Sequence, residues 1–117
     1  MKINIIHDRL PIIEVIGDIE HFLAPRLRYR ADSLLEAGYD YLLFDLTQVS
    51  YIDSGGIEVM FSTLKKLPPN GRLCAVIHNP NIIRVFDLVG ILNHKAFYLY
   101  STREKVLKMV EEMSKSA

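Results

Sequence analysis

The sequence reads as an α/β domain built on a mixed, largely parallel five-stranded sheet with about four helices. Short β-branched runs and amphipathic stretches follow one another in the order β-β-α-β-α-β-α-β-α. Residues 41–46 (Tyr-Leu-Leu-Phe-Asp-Leu) are almost continuously apolar, as a strand covered on both faces requires. Only the first two strands are joined by a link short enough for an antiparallel hairpin.

Residues 3–7 form the first predicted strand, residues 8–11 a turn, and residues 11–16 (Pro-Ile-Ile-Glu-Val-Ile) the second strand. Gly17-Asp18 ends it. A helix starts near residues 22–25, with Pro25 tolerated only in the first turn, where its missing N–H has no helical partner anyway. Leu23, Leu27, Ala31, Leu34 and Leu35 share one face, and Gly38 is placed as a left-handed C-cap. After the strand at 41–46, a loop at 47–53 leads to a helix over 54–67, closed by Pro68-Pro69-Asn70-Gly71. Its spacing puts Ile57, Met60, Phe61 and Leu64 on the sheet, and Glu58, Val59, Ser62, Lys65 and Lys66 outside. A buried strand at 73–77, a short helix at 81–88 and a strand at 97–100 follow. The last helix buries Val106, Leu107, Val110 and Met113, starts on Ser101 and Glu104 at capping-box spacing, and frays over 114–117.

The 117 residues fit one domain, 1–117, with no repeat or linker. Fourteen basic residues balance fourteen acidic ones, so no strong field favours nucleic acid or an anionic membrane. No apolar run approaches the roughly 20 residues that span a bilayer, and residues 1–8 lack the apolar core of a signal peptide. With one cysteine, Cys74, no intramolecular disulfide can form, and the expectation is a cytoplasmic protein. His7, His21, His78 and His94 are scattered, so no metal or other cofactor is expected. Cys74 reads as a small core residue, Asp45 as an acceptor for loop N–H groups, and Arg26, Arg28 and Arg30 as a solvated face. No nucleophile–base pair or Walker or Rossmann glycine pattern is present, and no enzyme is predicted.

The sharpest local feature is Asp53-Ser54-Gly55-Gly56, where a helix opens after a buried strand and a short loop. Two glycines in a first helical turn cost about 1 kcal/mol each relative to Ala. Without side chains they leave backbone N–H groups open at a helix end that carries partial positive charge. Residue chemistry alone leaves two readings open. Asp53 or Ser54 is an N-cap and the glycines permit a tight turn, or the helix end receives an anion, such as a phosphate on Ser54.

The stretch Phe44-Asp45-Leu46 through Gly56-Ile57 resembles the strand-loop-helix of STAS domains, the family of anti-sigma factor antagonists, in which Asp-Ser-(Ser/Ala/Thr)-Gly precedes an amphipathic helix. Gly17-Asp18-Ile19-Glu20 is similar to that family's Gly-Glu-(Ile/Leu)-Asp turn, with the two acidic types exchanged. Asn79-Pro80, with Ile83, Val85, Phe86 and Leu88-Val89-Gly90, resembles its third helix, and residues 98–104 resemble its last strand and helix start. The likeness implies a partner-switching regulator: an anti-sigma serine kinase phosphorylates Ser54, the unphosphorylated form binds that kinase and frees a sigma factor, and a serine phosphatase resets the cycle. By position, Asp18, Glu20, Asp53, Ser54, Gly55 and Gly56 would meet the partner, and the exposed helix face adds Glu58 and Val59. Gly55 departs from the family's Ser, Thr or Ala, adding flexibility beside the acceptor and removing a second hydroxyl. A homodimer is compatible with this reading. Two other classes remain: a scaffold STAS domain, as in a stressosome or lipid-transport accessory, and a nucleotide sensor using the Gly55-Gly56 helix end.

Overall fold

The computed structural model describes residues 1–116. Among these, five strands and four α-helices follow the predicted order: β1 (Lys2–His7), β2 (Pro11–Ile16), α1 (Ala24–Glu36), β3 (Tyr41–Gln48), α2 (Ser54–Lys66), β4 (Arg72–Val76), α3 (Pro80–Leu88), β5 (Phe97–Tyr100) and α4 (Arg103–Ser116). A 3₁₀ turn at Ile91–Asn93, which the sequence reading did not separate from its loop, precedes β5.

The strands lie in the order β1-β2-β3-β4-β5. β1 and β2 pair antiparallel through the tight turn at 8–10, and every later pair is parallel, as helical crossovers require. β3 runs two residues past its predicted end, to Gln48, and the β2–β3 register shifts between Glu14 and Ile16. This irregularity lets the chain after β2 continue alongside the loop after β3, where Ile19 and Ile52 form an isolated parallel bridge.

The sheet is covered on both faces. One core joins α1, α2 and α3 to Ile13, Val15, Leu42, Phe44, Leu46, Leu73 and Ala75. The other joins α4, through Val106, to Leu10, Ile12, Leu43, Cys74 and Val76. Alternate β3 residues therefore enter opposite cores, which explains the continuous apolar run. α1 buries Ala24, Leu27, Ala31 and Leu34, while Leu23 and Leu35 are only half-buried. Gly38 takes φ +101°, the left-handed value its C-cap position needs.

Several expectations are corrected. Val59, expected on the exposed side of α2, is 0% exposed, and Phe61, expected on the sheet, is 40% exposed. α2 packs against α1 as well as the sheet, with Arg28–Glu58 and Lys66–Asp32 contacts along the seam. A second covering neighbour turns the buried stripe toward Val59 and Thr63 and leaves Phe61 at its margin. At α4 the capping oxygen belongs to Thr102, which accepts from Lys105 N–H at 3.2 Å; the Ser101 hydroxyl instead meets Lys105 Nζ at 2.9 Å. α4 stays helical through Ser116, where fraying was expected, and its Met113 is 40% exposed; Ala117 lies outside the described residues.

Candidate functional site: the turn between β3 and α2

The loop from β3 to α2 is held by a second loop, residues 17–21, that comes from β2. Gly17 N–H donates to Gln48 O at 3.0 Å, Ile19 N–H to Tyr51 O at 2.9 Å, and Asp53 N–H to Ile19 O at 3.1 Å. These continue the β2–β3 pairing past the bulge and bring Asp18 and Glu20 beside the start of α2. Asp18 is exposed and Glu20 half-buried.

Asp53 is the N-cap of α2. Its backbone is extended, and its Oδ1 accepts from Gly55 N–H at 2.9 Å and Gly56 N–H at 3.3 Å. The other oxygen, Oδ2, accepts from His21 N–H at 2.8 Å. One carboxylate thus caps the helix and straps the second loop to it. Loss of hydration at the site raises the Asp53 pKa, but N–H donation from His21, Gly56 and Gly55 outweighs it, and the carboxyl sits below its ordinary value.

Of the two readings of this turn, the structure shows the capped tight turn rather than the open helix end. The glycine N–H groups are not open to another molecule, because Asp53 already occupies them. A Cβ on Gly55 would lie 2.4 Å from His21 Cα, and one on Gly56 would lie 2.5 Å from Ile52 Cγ1 and 2.7 Å from Ile19 Cγ2. Gly55-Gly56 therefore lets two loops approach closely, and Gly55 is a packed position rather than a flexible one. Ser54, the first residue of α2, is exposed, and its hydroxyl makes no hydrogen bond among the described residues. Glu58, one turn further on, is exposed and 3.3 Å from Arg28 Nη2. Val59 lies under this surface and does not form part of it.

His21 and Phe22 were not singled out from the sequence. The His21 side chain is 77% exposed beside Asp53, Phe22 is 65% exposed, and their rings meet edge-on at 5.8 Å. The available signal was an aromatic residue in the loop before α1, off the buried stripe of that helix. Elsewhere, burial pushes the Cys74 thiol up to about 12, as suits a core residue. Asp45 accepts from Thr47 N–H and Oγ1 as expected, and also pairs with Arg103, which reaches Glu14 as well. Among the described residues no cluster of three or more His, Cys, Asp or Glu side chains could hold a metal ion, and no helix is long and apolar enough to cross a membrane.

Comparison with known proteins agrees with this geometry. The family model for the STAS domain matches residues 3–106. An anti-sigma-B factor antagonist from Bacillus subtilis is 34% identical over 80 residues, covering 68% of this chain and 72% of that protein. One from Staphylococcus epidermidis is 28% identical over 89 residues, covering 75% and 82%. The crystal structure of an anti-sigma factor antagonist from Mycobacterium paratuberculosis superposes with a TM-score of 0.81 at 26% identity, covering 94% of this chain and 95% of that one. A five-stranded sheet in sequential order, with a capped turn after its central strand, thus occurs here in a chain that belongs to the STAS domain family.

Proposed function

We propose that the protein is an anti-sigma factor antagonist whose binding to an anti-sigma serine kinase is controlled by phosphorylation of Ser54. The observation that carries this is the exposed Ser54 hydroxyl, free of hydrogen bonds among the described residues, on a helix start that Asp53 already caps. The relatives' names support an anti-sigma factor as the partner; its being a serine kinase is part of the proposal. The unphosphorylated protein binds the kinase and frees a sigma factor. ATP held by the kinase supplies the phosphate, and a serine phosphatase removes it.

Phosphorylation adds about −1.5 to −2 charge. The Gly55 and Gly56 donors are occupied, so the new dianion does not displace the cap; it projects beside the Asp53 carboxylate into the partner's path. Asp18, Glu20 and Glu58 make this surface more acidic still. A partner seated on a neutral hydroxyl then meets repulsion and the cost of desolvating a dianion. The same occupied donors count against a nucleotide cradle at Gly55-Gly56.

Incubation with the kinase and ATP, followed by peptide mass spectrometry, tests the acceptor: phosphate on Ser54 is expected, and phosphate elsewhere or none overturns it. Ser54→Asp is expected to keep its melting temperature and lose kinase binding. Unchanged binding would refute the charge mechanism.

A further inference from the structure

We propose that the end of the sheet opposite Ser54 binds a small organic anion with an aromatic or short apolar body. Where β3, β4 and β5 begin, a cavity of about 680 Å³ is bounded by Tyr41, Arg72, Tyr98, the loops at 67–71 and 94–96, and Met113 of α4. That volume is in the range of small-molecule sites, about 300–1,000 Å³.

The wall is one-sided in its chemistry. Arg72, His94 and Lys95 line it, and no Asp or Glu does, in a chain where the two charge types are equal in number. The Arg72 guanidinium lies 4.4 Å from the centre of the Tyr98 ring and 5.8 Å from that of Tyr41. No carboxylate among the described residues lies within ion-pair distance of it; besides the two rings, its Nη2 meets the Met113 sulfur at 4.0 Å. A half-buried guanidinium held between rings, with no counter-ion, presents unused donors in a fork that suits a carboxylate or phosphate. His94 also borders the cavity, and because its Nδ1 accepts Ala96 N–H at 3.1 Å, the proton of the neutral ring is on Nε2.

The nearby C-terminal end of α2 presents carbonyls that oppose an anion; of the two lysines in its last turn, Lys66 is paired with Asp32 and Lys65 offsets them. Leu64, Leu67 and Met113 supply the apolar part of the wall. Because this site lies across the sheet from Asp53-Ser54, occupancy does not require the partner cycle and stands or falls independently of it.

The test is titration of the ¹⁵N-labelled protein with phenyl phosphate, benzoate, inorganic phosphate and benzyl alcohol, followed by amide chemical shifts. Phenyl phosphate and benzoate are expected to shift Arg72 and residues 94–96 saturably at millimolar concentration. Inorganic phosphate, lacking a body, and benzyl alcohol, lacking charge, are expected to bind at least about tenfold more weakly. Arg72→Gln is expected to weaken phenyl phosphate about tenfold, the loss of one charge-assisted contact. Lys95→Gln, at an exposed position, is expected to weaken it several-fold with the fold intact, and Ser54→Ala to leave it unchanged. Absence of saturable shifts at 94–96 with either aromatic anion overturns the proposal, as does undiminished binding in Lys95→Gln or in a folded Arg72→Gln.

Discussion

Val59→Ala decides how α2 sits. The side chain is 0% exposed between the sheet and α1, in the same apolar cluster as Leu27 and Phe44. Truncation removes two methylene equivalents, about 1.6 kcal/mol of transfer free energy. Incomplete collapse of the space left behind adds on the order of 1 kcal/mol. Ala is the better helix former, which returns roughly 0.5 kcal/mol. The net expectation is a loss of about 2 kcal/mol, or a fall in Tm of roughly 8 °C for a chain of this size. Urea denaturation with a common m-value, checked by a thermal melt, measures it. Glu58→Ala is the control: its side chain is 71% exposed, and its contact with Arg28 is a surface pair worth at most about 1 kcal/mol. A Val59→Ala loss under about 0.5 kcal/mol, equal to that of the control, would refute the buried placement and return Val59 to the exposed side of α2.

Gly55→Ala forces His21 to move, because the new Cβ would sit 2.4 Å from its Cα; the His21 amide resonance is expected to shift strongly and stability to fall by more than the roughly 1 kcal/mol of helix propensity gained, and an unmoved resonance refutes the contact. Arg103→Gln strips the counter-charge from Asp45, only 6% of whose side chain is exposed, and is expected to cost about 2–3 kcal/mol in urea, below a fully buried pair because Arg103 is 29% exposed. For Asp45, burial pushes the pKa up but Thr47 and Arg103 outweigh it, and for Glu14, Asn4 and then Arg103 lower it. With folded pKa values below unfolded ones, stability is complete at neutral pH and is lost as pH falls through about 4 toward the depressed folded values; Arg103→Gln is expected to flatten that limb of a pH–stability curve, and an unchanged slope counts against the network. Cys74, with its thiol pushed up to about 12 in the core, is expected to resist an aromatic disulfide reagent in the native protein and to react once urea unfolds it; fast native reaction refutes its burial.

The fold was legible because its periodicities were unambiguous. The β3 run, the Pro11 hairpin and Gly38 each carry a local rule that the structure obeys. α2 was misread where a local rule failed. A helical wheel assumes one buried direction, whereas α2 has two neighbours, and that second one comes from residues about 30 positions earlier. Of the candidate site, a capped helix start at Asp53-Ser54 could be read from the turn itself, though not which of the two is the cap. That Asp53 also binds His21, and that Gly55 exists to admit His21, depended on a loop 32 residues away, where no spacing rule reaches. Arg103 was likewise invisible: one guanidinium joins β2, β3 and α4 across 89 and 58 residues.

The sequential strand order has a consequence for synthesis. Each strand pairs with the one made just before it, so the sheet can grow at a single edge as the chain emerges. The contacts that hold the turn before α2, from Gly17 N–H to Ile57 N–H, lie within the first half of the polypeptide. Every partner in those contacts precedes β4 in the chain, so the turn has all its hydrogen-bonding groups before β4 is available to pair with β3. A chain stopped after α2 would carry this turn but bare the β3 edge that β4 covers in the finished molecule. Such fragments should aggregate through that edge.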